Sequence, residues 1–184
     1  RPCHFGAERT PGRAEASRLM ANFSWSPIFK SPRCTPLTTL SEGEQGHWLP
    51  SFLPSGRAVL FFIQTGDRDT GKVGVYDFDT GERRTLLSGT DSGFAASGHL
   101  VFWRDGALWA VRFDPDLLEV IGTPVVVMHA VGADYMGDAW FSLSGEGTLA
   151  YIPAVDGIPA TDTVPDVIMV KNWFQDLKRL VPTP

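Results

Sequence analysis

The stretch GHLVFWRDGALWAVRFD, from Gly98 to Asp114, constrains this chain more than any other segment. Two runs of aromatic and β-branched residues flank Asp105-Gly106, and an Asp-Gly pair adopts the positive φ angles that a two-residue type I′ hairpin turn demands. A turn at that point sets the register. Side chains alternate along a strand, so Leu100, Phe102, Trp109, Val111 and Phe113 share one face, while Val101, Trp103, Leu108 and Ala110 share the other. Both faces are then apolar. A hairpin with one wet face alternates apolar with polar residues, so this one is expected to lie between two further layers.

Upstream, the pattern of short strands and turns continues. Residues 1–35 are rich in Pro, Arg, Ser, Gly and Ala and hold neither a 3.6 nor a 2.0 period, which reads as a poorly ordered basic arm. Within it Arg13 to Phe23 has the composition of a short helix that would need a packing partner. The Ser26-Pro27 and Ser31-Pro32 steps read as extended linker. Order is expected from Pro36. Pro50 and Pro54 exclude a helix around HWLPSFLPSG and keep the first strand short. Ala58 to Gln64 reads as a buried strand, Val73 to Phe78 as the next, and Arg83 to Leu87 as a fourth after a turn at Asp79-Thr80-Gly81.

Laying the segments on one another shows a repeat. Phe52-Leu53-Pro54-Ser55-Gly56, Phe94-Ala95-Ala96-Ser97-Gly98 and Phe141-Ser142-Leu143-Ser144-Gly145 all spell F-x-x-S-G, with starts 42 and 47 residues apart, and an apolar strand follows each. Such a period with several short strands per unit marks β-propeller blades, in which both faces of each sheet pack on neighbours. The fold expected is therefore all-β: an incomplete β-propeller of about three four-stranded antiparallel blades over residues 36–165. A C-terminal strand and a short docking helix over 166–184 would follow. The repeat is expected to put its Phe in the core at the end of a blade's first strand, with Ser-Gly turning into the second. The middle blade spans about Gly89 to His129, with Leu118 to Ile121 and Val125 to Met128 separated by Gly122-Thr123-Pro124. The third unit, Tyr135 to Ala154, shows two strands before a loop over Asp156 to Pro165. Val167 to Val170 reads as a strand. Asn172 to Val181 reads as a helix with Asn172 as N-cap, Gln175 as its capping-box partner, and Trp173, Leu177 and Leu180 on the docking face.

GHWLPSFLPSGRAVLFF, YDFDTGERRTLLSG, GHLVFWRDGALWAVRFD and FSLSGEGTLAY together resemble the TolB-like, WD40-like (PD40) propeller repeats found fused to bacterial serine/threonine protein kinases. The ending NWFQDLKRLVP resembles the C-terminal tail of such chains. The resemblance covers about Thr38 to Pro182 and implies a sensing or interaction propeller without catalysis, with any kinase part N-terminal to it. None of the kinase motifs occurs in this sequence. The resemblance also implies that further blades precede this stretch, and the start at Arg1 reads as a fragment, a processed product or an incomplete gene model. An extracytoplasmic location is compatible with the resemblance, while the sequence itself shows no signal peptide and assigns no compartment.

Charge narrows the partners. Residues 1–35 carry six basic and two acidic residues, leaving ten basic and nineteen acidic for the rest, so the globular part stands at −9 and is not expected to bind nucleic acid. No apolar run is long enough for membrane insertion. A protein or small ligand is the expected partner, and terminal blades of an arc would expose apolar faces open to self-association.

Searching for chemistry yields no catalytic, cofactor-binding or metal site. His4, His47, His99 and His129 are dispersed without ligand spacing, and His99 reads as a strand-edge residue. Cys3 and Cys34 read as incidental thiols. Gly89-Thr90-Asp91-Ser92-Gly93 has its Ser one place late for a nucleophile elbow and reads as an inter-blade loop. Asp67-Arg68-Asp69-Thr70-Gly71 resembles the start of a calcium loop but lacks the closing Glu, so it reads as a solvated hairpin loop. Glu42, Glu44, Asp134 and Asp138 show no partner for acid-base work in sequence. Trp103 and Trp109, placed inside the central blade, are not expected to stack on a ligand. An accessory propeller of a larger enzyme, either a kinase or a prolyl-oligopeptidase-like peptidase, is the alternative to a binding module; a sialidase reading fails because SLSGEGTL lacks the Asp and Trp of an Asp-box.

Overall fold

The computed structural model describes residues 36–66, 70–134, 138–154 and 166–182. The chain divides into two compact units, Arg1–Leu37 and Thr38–Pro184. Only Pro36 and Leu37 of the first are described, and the second is treated below. The readings of Cys3 and Cys34, of the Arg13 to Phe23 helix, of the Ser-Pro steps, of Asp67 to Asp69 and of the Asp156 to Pro165 loop lie outside the described residues.

Strands β1 (Gly46–Phe52), β2 (Ala58–Gln64), β3 (Lys72–Asp77) and β4 (Arg83–Ser88) form one sheet in that order. Strands β5 (Ser92–Ala95), β6 (His99–Arg104), β7 (Ala107–Asp114) and β8 (Glu119–Met128) form a second. A third contains β9 (Phe141–Leu143), β10 (Leu149–Tyr151) and β11 (Ile168–Val170), and helix α1 (Trp173–Leu180) follows. Every strand pair is antiparallel and every sheet is an up-and-down meander beginning at one edge. Three such sheets, stacked face to face in chain order, are the blades of an incomplete β-propeller.

The central hairpin takes the register that its turn dictates: Phe102 pairs with Trp109 and Trp103 with Leu108. Asp105 and Gly106 have φ of 51° and 77°, the left-handed pair of a type I′ turn. Leu100, Phe102, Val111 and Phe113 pack with Leu53, Ala58, Leu60, Val73 and Val75 of the first sheet in one core. From the opposite face Val101, Trp103, Leu108 and Ala110 pack with Val131, Leu149, Trp173 and Leu177. The apolar character of both faces is thereby explained: each large side chain buried contributes about 1.5–3 kcal/mol, and this sheet contributes to two cores at once.

Four local expectations are corrected. Among the described residues the third blade has three strands, and α1 follows β11 where a fourth strand would come, because Asn172 turns left-handed (φ 57°) and the amphipathic segment after it buries Trp173 and Leu177 as a helix. Asn172 makes no side-chain cap; its carbonyl accepts from the Gln175 amide at 2.9 Å. Leu180 is exposed, and Val181 takes the third place on the docking face. Glu119 to Ile121 and Val125 to Met128 are not separate strands but parts of the single bulged β8, with Leu118 in the turn before it, since an outer-edge strand tolerates Gly122 and Pro124 without losing the ladder on its inner side.

The turn of the repeat is also shifted in the third blade. Gly56 N–H donates to Leu53 O and Gly98 N–H to Ala95 O, but the equivalent bond in the third blade runs from Gly147 N–H to Ser144 O. The structural counterpart of Phe52 and Phe94 is therefore Leu143, two residues after Phe141. The inter-blade step is tight: a Cβ on Gly89 would lie 2.5 Å from the Phe102 ring, so only glycine lets the chain cross from β4 to β5 there.

The outer face of the first sheet is not left bare. Val59, Phe61 and Ile63 on that face are buried, and a segment containing Ser41 and Glu44 lies across it. Glu44 takes a two-pronged bond from Arg83 of β4 at 2.8 and 3.0 Å, and the His47 Nε2–H at 3.2 Å. The His47 ring lies 4.9 Å from that of Phe61. On the third sheet Trp140, Val167 and Met169 remain exposed, so a bare apolar surface is present at that end.

Candidate functional site

Strands β1, β5 and β9 open their respective sheets, and each is hydrogen-bonded to a strand on one side only among the described residues. The three run side by side around a cavity of about 420 Å³. Its walls are Leu49 to Phe52 and Pro54 from the first blade, Asp91 to Phe94 from the second, and Phe141 to Leu143 with Gly145 from the third. Strands that are edges by topology leave backbone N–H and C=O groups facing the open side.

Aromatic rings collect there, two from matching places in the repeat and the third two residues out of phase with them. Phe52, Phe94 and Phe141 all line this groove. Phe94 and Phe141 also lean on the inter-blade cores, whereas Phe52 is 66% exposed and stacks on Phe78 at 6.0 Å, which corrects the expectation that the repeat Phe is a core residue. Its neighbour Leu53, 2% exposed, is the buried one, because the pleat turns alternate residues away from the groove.

Leu49 marks local strain. It has φ of 53°, immediately before Pro50, at an irregularity in the β1–β2 register between Trp48 and Ser51. A branched residue before proline disfavours the helical regions, and a left-handed non-glycine costs on the order of 1–3 kcal/mol. The bulge turns the Leu49-Pro50 step into the groove wall.

The groove holds one charged residue, Asp91. Its carbonyl accepts from the Trp103 amide at 3.0 Å, which fixes the backbone ahead of β5. Burial, reinforced by the charge of Asp138 from the third blade, pushes its carboxyl up to about 7, while the bond from the Ser92 amide offsets only part of this. Asp138 is itself raised, first by burial and then by Asp134, whose Oδ1 accepts the Asp138 amide at 3.0 Å. No Lys or Arg forms an ion pair with Asp91 or Asp138 among the described residues.

Other residues singled out in sequence serve the framework. His99 is fully buried, Nε2–H donating to Val181 O at 2.8 Å and Nδ1 accepting from Ser97 Oγ at 3.0 Å, which ties the end of α1 to the middle blade. Nδ1 of His47 accepts from Thr38 Oγ1 at 2.7 Å, and burial pushes the ring below its usual range against the pull of Glu44. Trp103 is buried, its Nε1–H donating to Val131 O at 3.0 Å, and the Arg104 guanidinium covers the half-buried Trp109 ring at 3.8 Å. In GTDSG the serine is the residue whose type suggests chemistry. Ser92 is buried, and the preceding carboxylate carries the charge of the groove, for which no motif gave a signal. No group of three or more His, Cys, Asp or Glu that could hold a metal occurs among the described residues.

The fold thus defines the class: an incomplete β-propeller, with three blades among the described residues. No family model matches the chain, and no curated protein does. Among solved structures, TolB from Acinetobacter baumannii is similar over 72% of this chain and 31% of its own, at 18% identity and a TM-score of 0.42. Tricorn protease is similar over 62% of this chain and 10% of its own, at 18% identity and a TM-score of 0.38. The chain therefore spans less than a third of the length of either.

Proposed function

We propose that this chain is a non-catalytic propeller module that binds a protein segment in the groove between β1, β5 and β9. The observation that carries the reading is the convergence of three open strand edges and the Phe52, Phe94 and Phe141 rings on one cavity of about 420 Å³, within the usual size of a ligand site. Open edges supply main-chain hydrogen bonds and aromatic walls supply side-chain pockets, the two elements of recognition by strand addition. The structural bonds of His47 and His99 also favour binding over acid-base chemistry. The kinase-linked setting implied by the repeat resemblance belongs to the same proposal, with the module serving as the sensing or docking part.

Selection of random displayed peptides on the full chain tests this. Recovered peptides are expected to lose binding to an uncharged Phe52→Ser variant, which keeps the fold because Phe52 is 66% exposed. Peptides that bind wild type and variant equally would place recognition elsewhere and overturn the reading.

A further inference from the structure

Resting on that groove reading, we infer that the segment bound there presents a lysine or arginine side chain to Asp91, flanked by apolar residues. The residues walling the cavity include no Lys, Arg or His, and Asp91 is their one ionisable group. The charge that acts on Asp91 is that of Asp138, from the third blade, which in turn feels Asp134; the first blade contributes Leu49 to Phe52 and Pro54, none of them charged. An anionic ligand would meet repulsion from Asp91 and Asp138. A wholly apolar one would bury Asp91 without a partner, at the cost of desolvating a carboxylate. A cation pairs with it, and the faces of Phe52, Phe94 and Phe141 offer apolar walls that also attract a guanidinium or ammonium group. The ligand is a peptide rather than a small cation because the open edges of β1, β5 and β9 present main-chain groups that only a peptide backbone matches along its length.

A pH signature follows. The Asp91 carboxyl of the free protein sits at about 7, so the form that attracts a cation predominates only above that value. Binding of a cationic peptide should strengthen about tenfold between one unit below and one unit above this value, as the ionised fraction rises. Below it, binding should release a proton.

The probes are acetyl-Leu-Arg-Leu-amide, its citrulline counterpart, which keeps the shape and loses the charge, and arginine amide alone. Each is titrated into the full nitrogen-15-labelled chain, with the Gly93 and Leu143 amides as groove reporters and calorimetry for proton release. The arginine peptide is expected to shift the groove amides and to bind about tenfold tighter than the citrulline peptide, the size of a charge-assisted hydrogen bond. Asp91→Asn, a near-isosteric change, should erase both that difference and the pH dependence while leaving citrulline-peptide binding intact. Equal binding of the two peptides, unaffected by Asp91→Asn, would overturn the cation inference and leave the groove as a peptide site. Arginine amide binding as tightly as the peptide would overturn the peptide part. Absence of groove shifts with either peptide would overturn both this inference and the groove reading beneath it.

Discussion

Glu44 shows how one side chain can close a sheet face. It is held by both nitrogens of the Arg83 fork, by the Ser41 amide at 2.6 Å and by His47, and the Arg83 bond holds its carboxyl down at about 2 despite some loss of solvent. A folded-state value below the ordinary 4.5 means that the stabilisation is complete above the unfolded value. It is lost as pH falls toward about 2. Glu44→Gln should lower stability at neutral pH by on the order of 1 kcal/mol and flatten the acid limb of the stability profile. Denaturant titrations from neutral to acid pH measure this, and parallel wild-type and variant profiles would contradict it. Asp91 works in the opposite sense: its raised carboxyl favours the folded state when protonated, so stability falls as pH rises toward and through about 7. Neither behaviour is legible in sequence. Glu44 and Asp91 look alike in a list of surface carboxylates, and only their neighbours separate them.

At the scale of elements, α1 is a short amphipathic helix whose stability comes from docking. Eight residues are too few to hold a helix in water alone, and Trp173 and Leu177 are both buried against the middle blade. Trp173→Ala should cost about 3–5 kcal/mol by chemical denaturation, whereas Leu180→Ala, at an exposed position, should stay within about 1 kcal/mol. Equal effects would refute the docking face described. The helix and two of its docking residues, Trp173 and Leu177, were readable from spacing, but the third was misassigned to Leu180 and the cap was not readable, since Asn172 departs from the helix through its backbone rather than its side chain. The repeat was readable in two blades and misphased in the third. A five-residue motif matches Phe141 by composition, while the hydrogen bond that defines the turn belongs to Ser144 and Gly147.

The three blades are held together by the middle sheet, which contributes to both cores and leaves the outer sheets dependent on it. The two ends differ. Glu44 and its neighbours lie across the outer face of the first sheet, whereas the third exposes Val167 (67%), Met169 (60%) and Trp140 (40%) on the side away from the middle sheet. An apolar patch of this kind should drive concentration-dependent self-association, seen by size-exclusion chromatography with light scattering. A Val167→Glu, Met169→Glu double variant, at positions that bury little, should shift association to concentrations about tenfold higher. A wild-type monomer at all concentrations would overturn this.

The local rules of the backbone were enough for the sequence to determine the all-β class, the Asp105-Gly106 hairpin and its register, and the burial of that hairpin on both faces. Alternation and turn chemistry act over a few residues and need no knowledge of distant ones. Tertiary structure alone decided that Glu44 meets Arg83 across 39 residues, that His99 meets Val181 across 82, and that Asp91 joins three phenylalanines in one groove. Such pairings depend on how loops and bulges phase one blade against the next. A shift of two residues, as in the third repeat, changes which side chain arrives without changing the pattern of strands.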